Sequence, residues 1–195
     1  ATPDGIVLAG HYEGTLQVGE RSVSSLGRND GFVTRLTPQG HTLWLVSVGG
    51  TGFDAVHNLA VSRKSVAISG LMDGASALGA VVMVADQDPF VARLALEDGQ
   101  VRWARTLRTS APVNIHALAV DDGGDVTIAG SFTGHFELDD VIDEDAGALD
   151  DIDAFVTKLA STDGTGLWAQ TITEPGIQAF TGLATNTAGP VIASG

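Results

Sequence analysis

The stretch Asp153-Ala154-Phe155-Val156-Thr157-Lys158-Leu159 repeats two earlier segments of the same chain. These segments are residues 30–36 and 88–94, so the pattern D-x-F-V-x-[KR]-L occurs three times, at steps of 58 and 65 residues. After each copy, a glycine precedes a tryptophan by four residues, and the three tryptophans are Trp44, Trp103 and Trp168. A fixed period of this kind indicates tandem repeats, each of which is one supersecondary unit.

Each repeat unit has the pattern of short strands separated by turns. The heptapeptide is rich in aromatic and β-branched residues, a glycine-bearing turn follows it, and the tryptophan lies in the next apolar run, which predicts a hairpin. A Leu-Ala pair further along leads into a strand that ends in glycine, as at residues 126–130. No stretch has the apolar spacing of an amphipathic helix over three turns. Four strands in each unit of about 60 residues predict an all-β protein, a β-propeller with four-stranded blades.

The repeats divide the chain into three predicted blades and the beginning of a fourth. The blades are residues 1–61, 62–120 and 121–185, and residues 186–195 are the first strand of a following repeat. A closed propeller needs at least about four blades, so three blades make a partial ring. We expect the chain to belong to a longer propeller or to complete a ring with a second copy, because an open ring exposes strand edges.

The repeats resemble the SBBP-type β-propeller repeats of bacterial proteins. The resemblance rests on D-A-F-V-x-K-L, G-x-x-L-W and L-A-V-D-x-x-G-x-V-x-x-A-G-S-F; it covers essentially the whole chain and is best between Leu118 and Leu159. The first unit departs from it at Gln39-Gly40, where Asp or Asn is usual, and the second at Leu71-Met72, where an aromatic is usual. The family is common in secreted and envelope proteins of myxobacteria and their relatives. The resemblance therefore implies a propeller in a secreted or cell-envelope protein, and it brings no catalytic residues.

The composition is acidic and free of cysteine. There are 24 Asp and Glu against 10 Lys and Arg, which gives a formal net charge of −14. Nucleic acids and anionic membranes favour clustered Lys and Arg, so this charge argues against both as partners. No apolar run has the length that a bilayer-spanning helix requires, and the lack of cysteine excludes disulfides and cysteine-based metal sites or nucleophiles.

Nine of the carboxylates lie in residues 137–153, a segment without Lys or Arg. Calcium binds several carboxylate or carbonyl oxygens, so the segment is a candidate calcium site. The candidate ligands are Asp143, Glu144, Asp145, Asp150 and Asp151. Their spacing does not match an EF-hand loop, and the corresponding loops of the first two units are not acidic. The alternative is a solvated acidic loop, in which case the protein needs no cofactor.

The positions that recur in every unit are interpreted as structural. An aspartate before a strand fixes a turn by accepting backbone hydrogen bonds, and a tryptophan in every unit is a packing aromatic. These repeat positions are Asp30, Asp88 and Asp153, and Trp44, Trp103 and Trp168. His57 and His116 also share a repeat position; we expect them to lie apart around the ring rather than together as zinc ligands.

No motif points to catalysis. The chain has no nucleophile elbow, phosphate-binding loop, H-E-x-x-H zinc motif or dinucleotide fingerprint. The sequence therefore predicts a non-catalytic binding or scaffold module at the cell surface, which recognises a protein, a glycan or its own kind through loops on a rigid propeller. Two alternatives remain: a structural assembly subunit joined through open blade edges, and a glycosidase- or lyase-like enzyme with paired carboxylates near the propeller axis.

Overall fold

The computed structural model describes residues 5–107, 112–146, 151–184 and 192–194. These residues form strands and turns, and the strand pairings are antiparallel, so the predicted all-β class is confirmed. In this part of the chain, no helix has the length and hydrophobicity of a membrane span. The strands are β1 (Ile6–Tyr12), β2 (Thr15–Val18), β3 (Arg21–Ser24), β4 (Asp30–Leu36), β5 (Thr42–Gly50), β6 (Ala55–Val61), β7 (Ser65–Leu78), β8 (Val81–Ala95), β9 (Val101–Thr106), β10 (Val113–Val120), β11 (Val126–Phe132), β12 (His135–Leu138), β13 (Ile142–Asp145), β14 (Asp153–Leu159), β15 (Gly166–Ile172), β16 (Gly182–Ala184) and β17 (Ile192–Ser194).

The second and third repeats each fold into a meander of four antiparallel strands. Strands β6, β7, β8 and β9 pair in chain order, and β10, β11, β14 and β15 pair in the same way. In both sheets the Leu-Ala strand comes first and the tryptophan strand last. The first repeat contributes β1, β4 and β5 in the equivalent arrangement, and β16 pairs with β17 at the other end.

The hydrogen-bonded units begin one strand earlier than the predicted repeat boundaries. The boundary between residues 61 and 62 separates β6 from β7, although Val61 pairs with Val66. The boundary between residues 120 and 121 likewise separates β10 from β11, although Val120 pairs with Val126. The reason is that a sequence period has no inherent starting point, whereas a hairpin with a short turn keeps its two strands in one sheet. The structural units are therefore residues 55–106 and 113–172.

An additional hairpin lies between the second and third strands of each unit. It is formed by β2 and β3 in the first repeat, by β12 and β13 in the third, and in the second by the outer parts of β7 and β8, beyond a bulge at Asp73. The outer part of β7 also pairs with residues 48–50 of β5, which joins the first two repeats into one sheet. Among the residues described, the sheets form no closed ring or barrel.

The apolar cores lie between the strands of consecutive repeats. In the sheet of the second repeat, Val66 and Ile68 belong to the core shared with the first repeat, whereas Ala67 between them belongs to the core shared with the third. Likewise, Phe90 belongs to the core shared with the first repeat, and Val91 belongs to the core shared with the third. Successive residues of a strand point to opposite faces, so this sheet is buried on both sides. The repeats therefore pack face to face, which explains why apolar residues occupy consecutive strand positions.

Candidate functional site

The first two repeats are joined by two side chains that bind one carbonyl group. Trp44 Nε1 and Arg35 Nη1 of the first repeat both donate to Leu96 O of the second, each at 3.0 Å. The Trp44 side chain is buried, and its ring lies against Gly99, where a Cβ would come within 2.8 Å of Trp44 Cδ2. Gly99 has a φ of 73°. Both the ring and the backbone conformation therefore require glycine at this position.

The junction between the second and third repeats has the same construction. Trp103 Nε1 and Arg93 Nη1 donate to Ser161 O at 3.2 and 3.1 Å. Gly164, with a φ of 79°, lies against the ring of Trp103. The repeated tryptophan, basic residue and turn glycine thus form one joint that occurs twice in the described structure.

Trp168 has the same repeat position but no such joint among the described residues. It is 38% exposed, and it lies on β15 beside Leu167 and Ile172, which are 50% and 42% exposed. Lys158, which replaces the arginine of the other repeats, binds Asp121 and Asp125 of its own repeat at 2.9 and 3.0 Å. The outer strand of the third repeat therefore presents apolar side chains to solvent.

Of the repeated aspartates, Asp30 and Asp153 are the first residues of β4 and β14, and Asp88 lies within β8, two residues before Phe90. Asp30 accepts a backbone hydrogen bond from Leu26 at 3.1 Å, and Asp88 accepts one from Asp86 at 3.3 Å. Asp30 and Asp153 are buried, and one carboxylate oxygen of each, Oδ1, has no hydrogen-bond partner among the described atoms. Burial is the main cause that raises the pKa of both Asp30 and Asp153. These local contacts are those of residues that shape turns and strand starts.

The described carboxylates of the acidic segment are not arranged as metal ligands. Asp143, Glu144 and Asp145 follow one another on β13, so the side chain of Glu144 points to the opposite face from the other two. Glu144 accepts a hydrogen bond from a threonine of β15 at 3.4 Å, and Asp151 accepts one from a backbone N–H at 2.7 Å. Asp150 lies outside the described residues. Among the described side chains, no three His, Cys, Asp or Glu are placed to hold a metal ion, and the calcium site stays a prediction.

His57 and His116 line one cavity of about 210 Å³, so they lie closer together than expected, and no third His, Cys, Asp or Glu joins them among the described residues. Each is the extra residue of a bulge, in β6 and β10 respectively, and a bulge re-aims a side chain. The first strands of consecutive sheets are neighbours, since Asn58 Nδ2 donates to Ile115 O at 3.1 Å. His116 Nε2 lies 2.9 Å from Ser131 Oγ. Equivalent positions of consecutive repeats therefore come close to each other along these strands.

A larger cavity, of about 450 Å³, lies at the junction of the first two repeats, and we call it the basic cavity. The side chains around it include five of the ten Lys and Arg of the chain, which are Arg35, Arg63, Lys64, Arg93 and Arg102. Glu97 is the one carboxylate among the described lining residues. Half of all the cations of a chain with net charge −14 thus lie around one cavity.

The backbone of Leu96 links the turn that contains Lys64 to the side chains of Arg35 and Trp44. Its N–H donates to Lys64 O at 2.9 Å, and its carbonyl accepts the bonds from Arg35 and the first-repeat tryptophan. The turn between β6 and β7 is therefore held beside the turn between β8 and β9. Arg93 adds a bond from Nε to Ser65 Oγ at 3.1 Å. Arg35 and Arg93 thus donate to neutral oxygens, so these hydrogen bonds satisfy N–H groups but leave the positive charges of the two side chains uncompensated.

The positive charge of the basic cavity is mostly unpaired. In the described structure, one of its cations has an ion pair: Arg63 Nε lies 3.5 Å from Asp122 Oδ2, with the Arg63 side chain 80% exposed. Burial lowers the pKa of Arg93, and the positive charge of Arg102 lowers it further, while Asp125 opposes the shift. An anion in the cavity would relieve this repulsion between like charges.

The basic cavity is specific to one junction. In the third repeat, the turn after the Leu-Ala strand is Asp121-Asp122-Gly123-Gly124, and Leu167 takes the place of Arg102. The cations of the cavity are distant in the sequence, so counting runs of charge does not find them. The available signal was that Arg63-Lys64 and Arg102 depart from the pattern of the neighbouring repeats.

No family model matches this chain, and no curated protein is similar to it at a significant level.

Proposed function

We propose that the chain is part of a β-propeller and serves as a non-catalytic binding module, with the basic cavity as its recognition site. The observation that carries this proposal is that half of the cations surround one cavity. Three of them, Arg63, Lys64 and Arg102, take no part in the tryptophan joints, and of these Arg63 pairs with Asp122 of the third repeat through a side chain that is 80% exposed. Side chains that packing does not use, placed on turns of a rigid scaffold, are typical of a binding site.

Three features support the propeller. The repeats are four-stranded meanders, their sheets pack face to face around shared cores, and the tryptophan joint recurs. The first strands β6, β10 and β16 are also in contact from one repeat to the next, as innermost strands around an axis would be. The resemblance to SBBP-type repeats favours the same fold, and with it a bacterial secreted or cell-envelope protein that meets a protein or glycan partner.

Binding without turnover is better supported than glycosidase or lyase activity. A glycosidase uses two carboxyl groups about 5–9.5 Å apart. The cavity of His57 and His116, between the first strands of two repeats, has no carboxylate among its described lining residues, and the basic cavity has Glu97 alone.

An array of neutral, carboxylated, sulfated and phosphorylated glycans tests the proposal, with mass analysis of the glycan after incubation. We expect retention of at least one anionic class, with the glycan recovered intact. The double variant Lys64→Ala/Arg102→Ala should lose this retention, because two unpaired cations leave the cavity. The control Arg21→Ala/Arg28→Ala removes two exposed cations elsewhere and should bind as the parent does. Cleavage of a glycan, or retention of no anionic glycan, would contradict the proposal.

A structural assembly subunit is the second candidate, and the apolar outer edge of β15 favours it. Trp168 is exposed there, whereas the two equivalent tryptophans are buried in joints. Sedimentation velocity over a range of concentrations tests this candidate. Assembly predicts association that Trp168→Ala abolishes and that Leu26→Ala, at a site 73% exposed in another repeat, leaves unchanged. A monomer at every concentration excludes assembly of this chain through that edge.

A further inference from the structure

We infer that the basic cavity binds a small ligand that carries two or more tetrahedral oxyanion groups, as phosphate or sulfate esters. This inference rests on the proposed function, because it names the ligand class of the same cavity. The side chains that carry it are Arg35, Arg63, Lys64, Arg93 and Arg102.

The charge of the cavity calls for a ligand with more than one anionic group. Five cations and one carboxylate, Glu97, leave a formal charge of +4. A single phosphate ester carries about −1.5 to −2 near neutral pH, so two such groups approach the charge of the cavity. A monocarboxylate would leave most of that charge uncompensated.

The donors of the cavity suit tetrahedral oxyanions. Four of its five cations are arginines, and a guanidinium offers five N–H groups in a planar fork that binds phosphate or sulfate through two parallel hydrogen bonds. Arg35 uses Nη1 for Leu96 O, while its buried Nε has no partner among the described atoms. Arg102 and Lys64 are exposed at the cavity and have no ion pair within the described structure. Lys64 and Arg102 therefore offer free N–H groups at the cavity.

The size of the cavity and the charge of the rest of the chain favour a small ligand over a polymer. A volume of about 450 Å³ lies within the range of about 300–1,000 Å³ that small-molecule pockets occupy. The chain as a whole has a net charge of −14, so its surface outside the cavity repels long polyanions and anionic membranes. A sugar bisphosphate or a disulfated disaccharide fits both conditions.

Isothermal titration calorimetry of the full chain in about 50 mM salt tests the inference with four probes. They are inorganic phosphate, fructose 1,6-bisphosphate, a disulfated disaccharide and the same disaccharide without sulfate. We expect one site for a probe with two ester groups, with affinity at least about tenfold above that of inorganic phosphate, and no heat with the neutral sugar. The tighter of the two probes with two ester groups shows which ester the cavity prefers. Raising the salt concentration should weaken binding, because it screens exposed charges.

Two double variants separate a built site from general attraction. Lys64→Ala/Arg102→Ala should weaken binding of the better probe at least about tenfold, whereas Arg21→Ala/Arg28→Ala, with the same change in net charge, should not. Circular dichroism melts show whether both variants fold. Equal weakening by the two variants, or no binding of either probe with two ester groups, overturns the inference. If the glycan array retains carboxylated glycans alone, this inference fails while the proposed binding function stands.

Discussion

Gly99→Ala should destabilise the protein more than Gly40→Ala, although the two glycines hold the same repeat position. Both have positive φ angles, 73° and 85°. A Cβ at residue 99 would lie 2.8 Å from Trp44 Cδ2, whereas a Cβ at residue 40 would meet no atom within 4 Å. Alanine therefore adopts an unfavourable backbone conformation at both positions, but only at residue 99 would its Cβ also clash with a side chain of the neighbouring repeat.

The expected magnitudes follow from these two contributions. A left-handed conformation costs an L-residue about 1–2 kcal/mol, and this is the full loss expected for Gly40→Ala. Gly99→Ala adds the cost of overpacking a filled site, about 1–3 kcal/mol, because the ring of Trp44 cannot move away without breaking its bond to Leu96 O. The difference between the variants is thus about 1–3 kcal/mol.

Urea denaturation followed by circular dichroism and tryptophan fluorescence measures both variants. With a slope near 2 kcal/mol per molar urea, the midpoint of Gly99→Ala should lie about 0.5–1.5 M below that of Gly40→Ala. In a Trp44→Ala background the two glycine substitutions should cost the same, since the ring is gone. Equal midpoints in the parent background would refute the reasoning that this contact holds the first two repeats together.

Four further variants probe the tryptophan positions, the ion pair of Asp139 with Arg105, and the buried carboxyl group of Asp153. In urea denaturation, Trp103→Ala should lower the free energy of unfolding by about 3–5 kcal/mol, whereas Trp168→Ala, at the exposed edge, should lower it by less than about 2 kcal/mol. Similar losses for the two variants would contradict the difference in packing between the two tryptophans. Asp139→Asn should lower stability by about 0.5–1 kcal/mol at pH 7, because the hydrogen bond from Arg105 lowers the pKa of Asp139. In thermal melts this loss should vanish as the pH falls through that lowered pKa, since a protonated carboxyl no longer pairs with the guanidinium. Burial, with Asp151 and Glu144, raises the pKa of Asp153, so the stability that its protonated form contributes at low pH is lost as the pH rises through the raised pKa. Asp153→Asn should therefore be more stable than the parent at pH 7 and no different below the ordinary pKa of aspartate; a variant that is less stable at pH 7 would contradict this assignment.

The strands were predictable from the sequence because local chemistry determines them. The heptapeptide D-x-F-V-x-[KR]-L forms β4, the inner part of β8, and β14, and the tryptophan that follows lies in β5, β9 and β15. The turn glycines at residues 99 and 164 have the positive φ angles that such turns require. The sequence is less informative about where each sheet begins and ends, because a period of about 60 residues does not show which strand comes first.

The joints could not be derived from local pattern, because they connect residues far apart in the chain. Trp44 and Leu96 are 52 residues apart, and nothing near either one indicates that a carbonyl of the next repeat accepts the indole N–H. The closeness of His57 and His116 was also missed, since it depends on two bulges and on the spacing of neighbouring first strands. Such features follow from how the repeats stack, which is a property of the tertiary structure.

The proposed role of the basic cavity rests on a distinction between residues that recur in each repeat and residues that do not. A residue that the joint requires recurs at each junction, as the tryptophan and the basic residue of the heptapeptide do. A residue that serves a ligand has no reason to recur, and Arg63, Lys64 and Arg102 have no cationic counterparts in the third repeat. There the equivalent turn is acidic, and Lys158 is paired with Asp121 and Asp125. Because the two junctions share a scaffold and differ in charge, the anion should bind at the first junction and not at the second.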